Sequence, residues 1–318
     1  MKLRALALLV GIVLDLLLGD PRWFPHPIIA IGRMISFLDK HLRRIFPKTK
    51  GGEITAGSFL WLITVGVSFC LPYFVLRLAY GAFLPLGFVT ETVLCWQILA
   101  GKSLKAESMK VYHALKEGTI EDARYAVSMI VGRDTAELTH TQVAKAAVET
   151  VAENASDGVI APMLYFALGG APLGLAYKAV NTLDSMVGYV EMPYKNIGLV
   201  SAKMDDIANF LPARICAVLM LGAGAVCRLN FRKGVKIFLR DRYHHASPNS
   251  AQTESVCAGL LGLQLAGDAS YHGVLHKKPF IGDPLRPICD EDIPLANKLM
   301  YATAGLCAVL CLALLLTL

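Results

Sequence analysis

Long apolar stretches alternate with polar ones along this chain, and four of the apolar stretches are continuous enough to cross a membrane. They are 3–19, 57–79, 82–101 and 299–318. A helix that crosses a bilayer needs about 20 mostly apolar residues. The pattern predicts a polytopic, mostly α-helical membrane protein, and we expect a single membrane-embedded domain over 1–318.

Two further apolar runs, 158–177 and 213–229, are interrupted by glycine and proline or only just long enough to cross. Segments of this kind either cross the membrane or dip into it and line a cavity. For 158–177 we expect a re-entrant or deeply packed segment, because a full crossing would carry the polar residues after it to the far side.

The stretch 102–152 has apolar residues at helical spacing in a polar background, and it predicts a soluble helical region. Within it, Gly118 is typical of a helix end and Thr119 of a helix N-cap. No strand pairs or internal repeats are evident.

Composition and charge support a membrane protein. Hydrophobic residues make up 55% of the chain and charged residues 18%, and the mean hydropathy is +0.50. The chain is thus more apolar and less charged than an ordinary soluble domain, which makes a membrane protein the leading class. The net charge of +6 comes without basic patches interleaved with aromatics, so we expect no nucleic-acid partner. Lysines and arginines concentrate in 33–50 and 228–242, which predicts that these segments and 102–145 are cytoplasmic and both termini external.

Eight cysteines are scattered without a C-x-x-C pair. Several lie in apolar runs, as Cys307 and Cys311 do, where cysteine acts as a small hydrophobic residue. We therefore expect packing rather than a disulfide framework or a zinc site.

Polar residues recur in the segment KAVNTLDSMVG, 178–188. On a helix, Lys178, Asn181, Asp184 and Ser185 fall along one polar stripe. Serine and glycine in a membrane helix suit close helix packing. A lysine and an aspartate are costly there, which favours a functional face over packing.

A second polar cluster, ENASDG, occupies 153–158. Glu149 and Glu153 share one helix face, and Asp157 lies a turn further on. Three carboxylates in line suit Mg²⁺, which prefers oxygen ligands. A solvated acidic helix end is the alternative interpretation.

Three more clusters place polar residues together at 18–27, 201–214 and 244–254. The common nucleotide and hydrolase motifs are missing: AGKS at 100–103 lacks the first glycine of a P-loop, and no G-x-G-x-x-G, G-x-S-x-G or H-E-x-x-H is present.

Long blocks of the sequence resemble the adenosylcobinamide-phosphate synthase family, the integral membrane enzymes of cobalamin biosynthesis. The blocks are LGDPRWFPHPIIAIGRMI, VGRDT, the run from ENASDG through KAVNTLDSMVGY, SAKMDDIANFLPARI, ASPNSAQTE and KPFIGD. They occur in order over nearly the whole chain.

The resemblance implies an ATP-dependent acid–amine ligase of the cell membrane with a cytoplasmic active site. The family joins the free propionate of adenosylcobyric acid to the amine of (R)-1-aminopropan-2-yl phosphate, with ATP and Mg²⁺ expected as cofactors. The partners implied are these corrinoid and aminopropanol phosphate substrates, the lipid bilayer and other membrane enzymes of cobalamin assembly.

The resemblance also suggests residue roles. The expected catalytic residues are Asp157, Asp184, Asn181 and Lys178. The expected metal ligands are Glu153, Asp157, Asp184 and Asp205. The expected substrate-binding residues are Asn154, Ser185, Lys203, Asn209, Arg214, Ser247, Asn249, Asp20 and His26.

Two other function classes stay open at this point. A membrane corrinoid transporter would also place polar residues among broken helices, although the chain has neither the extra spans nor the pseudo-repeat that such a protein usually has. A non-catalytic membrane sensor on the same scaffold would be expected to lose the Asn/Asp clusters, which are present here.

Overall fold

The computed structural model describes residues 1–21, 23–189, 192–271 and 273–317, and these are mostly helical, as predicted. The helices in chain order are α1 (Lys2–Leu18), α2 (Pro27–Ile45), α3 (Lys50–Ala82), α4 (Leu84–Ile98), α5 (Gly101–Glu117), α6 (Ile120–Ser128), α7 (His140–Asn154), α8 (Ala161–Val187), α9 (Leu199–Ala208), α10 (Phe210–Val226), α11 (Phe231–Asp241), α12 (Ser250–Leu261) and α13 (Asp292–Thr317). A π-helical turn, Ala155–Ile160, joins α7 to α8.

Four helical runs among the described residues are long and apolar enough to cross a membrane, and α9 with α10 adds a fifth if that bent pair is one span. The four runs are Lys50–Ala82, Leu84–Glu117, His140–Val187 and Asp292–Thr317. The chain is therefore a mostly helical protein with four to five candidate membrane-spanning helices. Helix α1, with 17 residues, is not among them, and the span predicted over 3–19 stays a prediction.

The chain divides into two compact units, and each is described by itself. The first unit comprises Met1–Ala100, Ala161–Asn209 and Leu310–Leu318, and the second comprises Gly101–Ile160 and Phe210–Val309. The single membrane-embedded domain expected from the sequence stays a prediction.

Helices α2, α3 and α8 form the core of the first unit. Ile35, Leu60, Leu183 and Ile197 are buried there against one another. In the same unit α1 packs on α4 at Gly11, where an added Cβ would lie 2.8 Å from Sγ of Cys95. The close approach of these two helices therefore requires glycine.

Helix α8 is broken at Gly170, which has a φ of 70°. A Cβ at this position would lie 2.8 Å from Oε1 of Glu91 and 3.2 Å from Nε of Arg4. Glycine tolerates both the left-handed conformation and the crowding. This break, together with Pro172, is the physical reason why the apolar run 158–177 looks interrupted in the sequence.

Helix α12 lies at the centre of the second unit. All 12 of its residues are buried, including Gln252, Thr253, Glu254 and Ser255. Helices α7, α10 and α11 pack on it. Burial of so many polar side chains is unusual, because each buried polar group without a hydrogen-bond partner destabilises the fold.

The second unit also contains two short antiparallel strand pairs, so the expectation that strand pairs are absent was wrong. Strand β1 (Gln264–Ala266) pairs with β4 (Phe280–Gly282), and β2 (Ala269–Tyr271) pairs with β3 (Val274–His276). Three residues a strand are too few for a period-two pattern to stand out in the sequence.

Candidate active site

The second unit brings three glutamates into one electrostatic cluster. Glu254, on the buried helix α12, interacts with Glu149 and Glu153 of α7. We call Glu149, Glu153 and Glu254 the glutamate cluster. Hydrogen-bond donors and positively charged side chains surround this cluster. They come from separate parts of the sequence.

Arg133 neutralises one member of the cluster. Its guanidinium donates a hydrogen bond to Oε2 of Glu149, whose side chain is only 5% exposed. The other oxygen of Glu149 accepts the backbone N–H of Ala266 at 2.6 Å. Burial lowers the pKa of Arg133, but the Glu149 carboxylate more than compensates, and the net pKa is raised.

Glu153 accepts a hydrogen bond from helix α12. Ser250, the first residue of that helix, donates its hydroxyl to Oε1 of Glu153 at 2.7 Å. His245 lies close enough for Glu153 to act on it electrostatically, and burial is the main reason why the pKa of His245 is lowered. The neutral imidazole is thereby favoured, and it can accept a proton.

Two lysines complete the surroundings of the cluster. The Lys145 ammonium group donates a hydrogen bond to the carbonyl of Ala266. Its Nζ lies 5.5 Å from the centre of the Phe280 ring. Lys278, from the KPFIGD block, donates to the hydroxyl of Tyr271 at 2.8 Å. Aromatic rings next to ammonium groups stabilise the charge.

The short strands hold these groups in place. Gly282 donates its N–H to the buried carboxylate of Asp241 at 2.7 Å, and the φ of 87° at Gly282 suits glycine. Asp134 of the VGRDT block donates its N–H to Ser270 at 2.9 Å and accepts from Gly273 at 2.8 Å.

Glu254 occupies the least favourable place for a charge. It is 5% exposed, and burial, followed by the charges of Glu153 and Glu149, raises its pKa well above the ordinary value. A buried carboxyl with a displaced pKa among carboxylates and cations is typical of an active site.

Three predicted substrate-binding residues also meet in the second unit. Arg214 donates from Nη1 to Oδ1 of Asn249 at 3.2 Å. Asn249 donates its N–H to the hydroxyl of Ser247 at 3.3 Å, and the N–H of Ser247 reaches Nδ1 of His245 at 3.1 Å. Arg214, Ser247 and Asn249 thus lie on a hydrogen-bonded path to the surroundings of the glutamate cluster.

Two other predicted residues of this unit lie at the end of α7. Asn154 donates from Nδ2 to the carbonyl of Thr150 at 3.0 Å, a bond within its own helix. Asp157 lies half-buried in the π-helical turn, which packs on α10. π-Helical turns are often found at functional sites.

In the first unit, the predicted polar stripe of α8 is present. Lys178, Asn181 and Asp184 are half-buried, and Ser185 is exposed. The Ser185 hydroxyl donates to the carbonyl of Asn181 at 2.9 Å, which is a bond within the helix.

Asp205 and Asn209 belong to a second polar group in the first unit. Tyr177 donates its hydroxyl to Oδ1 of the fully buried Asn209 at 2.7 Å, and Asn209 donates from Nδ2 to Asp205 at 3.0 Å. Tyr165 stacks on Tyr177 with ring centres 4.8 Å apart. The geometry makes Asn209 a link between helices.

The remaining predicted residues lie elsewhere in the first unit. Nε2 of His26 lies 3.3 Å from Oδ1 of Asp20, while its Nδ1 accepts the N–H of Ile28 and caps α2. Lys203 is exposed and forms a surface ion pair with Asp206 at 3.6 Å.

The expected Mg²⁺ site requires oxygen ligands that lie close together. Within the described part of the chain, no group of three or more His, Cys, Asp or Glu side chains is arranged to hold a metal ion. Mg²⁺ commonly uses one or two carboxylates together with substrate phosphates. The four predicted metal ligands therefore stay predictions, and no metal cage built from described side chains supports them.

Sequence reasoning did not select several residues that surround the glutamate cluster. They are Arg133, Lys145, His245, Glu254 and Lys278. Three of them stand in blocks that carry the family resemblance, namely Arg133 in VGRDT, Glu254 in ASPNSAQTE and Lys278 in KPFIGD. Their occurrence in these blocks was the one sequence feature that could have pointed to them.

Comparison with known proteins agrees with these blocks. The family described as CobD/Cbib protein matches residues 8–300. The cobalamin biosynthesis protein CbiB of Salmonella typhi is 44% identical over 308 residues, covering 97% of this chain and 96% of the relative.

Relatives from other bacteria are similar to a comparable degree. The cobalamin biosynthesis protein CobD of Klebsiella pneumoniae subsp. pneumoniae is 43% identical over 305 residues, covering 96% of this chain and 95% of the relative. That of Streptococcus sanguinis is 46% identical over 298 residues, covering 94% and 93%. No solved structure matches the chain. Identity of this degree over nearly the full length shows that the chain belongs to the CobD/CbiB protein family.

Proposed function

We propose that this chain is an amide-forming ligase of cobalamin biosynthesis, which joins adenosylcobyric acid to (R)-1-aminopropan-2-yl phosphate to give adenosylcobinamide phosphate. The family membership and the relatives' printed names support a role in cobalamin biosynthesis. The specific reaction rests on the resemblance of the sequence blocks.

The observation that carries the proposal is the buried Glu254 among Glu149, Glu153 and Arg133. A structural helix in a protein core does not need an ionisable residue at its centre, and burying one costs free energy. A reaction that unites a carboxylate with an ammonium group needs proton transfer and charge stabilisation in one place.

The basic groups suit the negative charges of the substrates. Arg133 presents a planar fork that matches a carboxylate or a phosphate. Lys145 and Lys278 supply ammonium donors close to the cluster. They would hold the phosphate of the amine substrate and the corrinoid propionate close together, which lowers the barrier by positioning.

The amine must lose a proton before it attacks the activated carboxyl carbon. His245 in its neutral form, or Glu254 in its ionised form, would accept this proton. ATP, when bound, would phosphorylate the propionate, since an unactivated carboxylate is a poor acyl donor, and phosphate would leave as the amide bond forms. The predicted Asp157 and Asp184 stay candidates for Mg²⁺ or for proton transfer.

The four to five candidate membrane-spanning helices indicate a multi-pass membrane protein. We propose a cytoplasmic active site, because the basic loops of the sequence predict that orientation. The substrates named above are the proposed partners, and other membrane enzymes of cobalamin assembly remain candidates.

A reconstitution assay tests the proposal. The full chain, purified in detergent, is mixed with adenosylcobyric acid, aminopropanol phosphate, ATP and Mg²⁺, and the corrinoid product is identified by mass spectrometry. We expect a product that carries the new amide, and no product when ATP or Mg²⁺ is omitted. Corrinoid uptake into vesicles without an amide product would instead identify a transporter.

A matched pair of variants then tests the site. Glu254→Gln should lower the initial rate by about 100-fold or more, as loss of a proton-transfer group does. Glu137→Gln, which removes the same charge from an exposed position, should stay within about twofold of the unchanged protein. A normal rate in Glu254→Gln would move the active site away from the glutamate cluster.

A further inference from the structure

The first unit contains a basic pocket of about 390 Å³ between the end of α2 and the start of α3. Arg43, Arg44 and Lys48 line it, together with Phe46 and Ile197. None of these residues belongs to the sites described above. We call this space the α2–α3 pocket.

Among the residues that the structure describes, two cations of this pocket have no ion-pair partner. Arg43 is committed to Asp39, with Nε 2.8 Å from Oδ1. Arg44 and Lys48 are exposed, and they form no ion pair with any described residue. Two adjacent free cations attract an anion, and guanidinium and ammonium groups are the usual partners of phosphate.

Among the described lining residues, the three cations Arg43, Arg44 and Lys48 outnumber the one carboxylate. Glu53 is the acidic residue in the lining, and its carboxylate already accepts a hydrogen bond from Asn196 at 2.7 Å. The pocket also lies at the N-terminus of the 33-residue helix α3, where the helix dipole attracts negative charge.

An apolar surface continues from the pocket. Phe46 in its wall stacks on Phe59, with ring centres 5.5 Å apart. Along α2, Phe37 and Ile45 are 59% and 72% exposed. A helix that combines exposed apolar residues with arginines and lysines is typical of the membrane interface.

We propose that the α2–α3 pocket binds the headgroup of an anionic phospholipid. The phosphate lies between Arg44 and Lys48, and the acyl chains follow the exposed apolar residues beside α3, a candidate membrane-spanning helix. A phosphate next to an apolar surface is the chemistry of a lipid, and basic pockets between membrane helices commonly bind such headgroups.

Native mass spectrometry of the full chain in a non-ionic detergent tests this site. The probes are phosphatidylglycerol, phosphatidylcholine with the same acyl chains, and water-soluble glycerol 3-phosphate. We expect phosphatidylglycerol to bind at least about tenfold more tightly than either of the others. Phosphatidylcholine lacks the net negative charge, and glycerol 3-phosphate lacks the acyl chains.

Two double variants of equal charge make the test specific. Arg44→Gln/Lys48→Gln should weaken phosphatidylglycerol binding by about tenfold or more, since two charge-assisted contacts are lost. Arg33→Gln/Lys40→Gln removes two exposed charges of α2 that lie outside the pocket and should change affinity by less than about twofold.

Two results would overturn the proposal. Equal losses in both double variants, or no loss in either, would show that the pocket itself does not bind the lipid. Displacement of the lipid by equimolar glycerol 3-phosphate would show a site for soluble phosphate esters instead.

Discussion

Arg133 and Glu149 form a buried ion pair that joins the loop before α7 to the middle of that helix. The same carboxylate accepts the N–H of Ala266 in β1 at 2.6 Å. One side chain thus connects the VGRDT block, the helix that carries Glu153 and the strand that follows α12.

Replacing Arg133 with Gln should destabilise the protein. Glu149 would stay buried without its cation, and breaking a largely buried pair typically costs about 3 kcal/mol. Chemical unfolding in detergent measures the loss. The variant Lys110→Gln, which removes one partner of an exposed pair with Glu107, should cost about 1 kcal/mol or less.

A double variant, Arg133→Gln/Glu149→Gln, checks the cause of that loss. Because it removes both charges, it should recover part of the stability that Arg133→Gln loses. If the double variant loses as much free energy of unfolding as the two single variants lose together, or more, the ion pair does not explain the effect.

Glu254 should make the stability of the protein fall as the pH rises. Its pKa is raised in the folded protein by burial and by Glu153 and Glu149, so the folded state holds the proton more tightly than the unfolded state. The favourable contribution is complete below the ordinary pKa of glutamate and is lost as the pH rises through the folded pKa, at about 1.4 kcal/mol per pH unit between the two values.

Thermal unfolding of the unchanged protein and of Glu254→Gln, measured over a series of pH values, isolates this effect. The glutamine is neutral throughout, so its melting temperature relative to the unchanged protein should increase with pH. A difference between the two proteins that stays constant from acid to neutral pH would contradict the raised pKa.

Removing the Tyr177 hydroxyl should destabilise the first unit. In Tyr177→Phe, the buried Oδ1 of Asn209 loses the donor that now lies 2.7 Å away, which costs about 1–3 kcal/mol. Tyr73→Phe removes a hydroxyl from an exposed tyrosine and should change the free energy of unfolding by less than about 0.5 kcal/mol. Equal stability of the two variants would mean that the Tyr177–Asn209 bond contributes little.

Gly188→Ala should displace the side chain of Asp184. A Cβ at Gly188 would lie 2.0 Å from Oδ1 of Asp184 and 2.6 Å from its carbonyl oxygen. If Asp184 takes part in the proposed reaction, the variant should lose at least about tenfold in rate, because small displacements in an active site are costly. The measurement is the amide-forming assay.

The control for this variant is Gly66→Ala, where a Cβ has open space within 4 Å. Alanine favours a helix over glycine by up to about 1 kcal/mol, so Gly66→Ala should keep full activity and unfold at the same or a higher temperature. Full activity in Gly188→Ala would argue against a catalytic Asp184.

Local features were predictable from the sequence because their causes are local. Thr119 accepts the N–H of Asp122 and completes a capping box with it, which confirms the predicted N-cap. Gly118 directly follows the last residue of α5, also as expected. Cys307 and Cys311 are fully buried in α13, as expected of cysteines that act as small hydrophobic residues.

Pairings between distant segments were not predictable in this way. Ser250 and Glu153 are 97 positions apart, and nothing in either neighbourhood of the sequence indicates the other. In the sequence alone, Glu254 looks like an ordinary acidic residue near the start of a surface helix. Only the packing of α7, α10 and α11 around α12 decides that it is buried.

The sequence by itself therefore determined the helical membrane class, the order of the apolar segments and the family, because hydrophobic periodicity and ordered blocks are properties of the chain alone. The tertiary structure decided which charged residues meet. Glu149 and Glu153 acquired Arg133 and Ser250 as partners, and Lys203 remained at the surface. Burial and charge pairing depend on distances in space, which the spacing of residues along one helix does not specify.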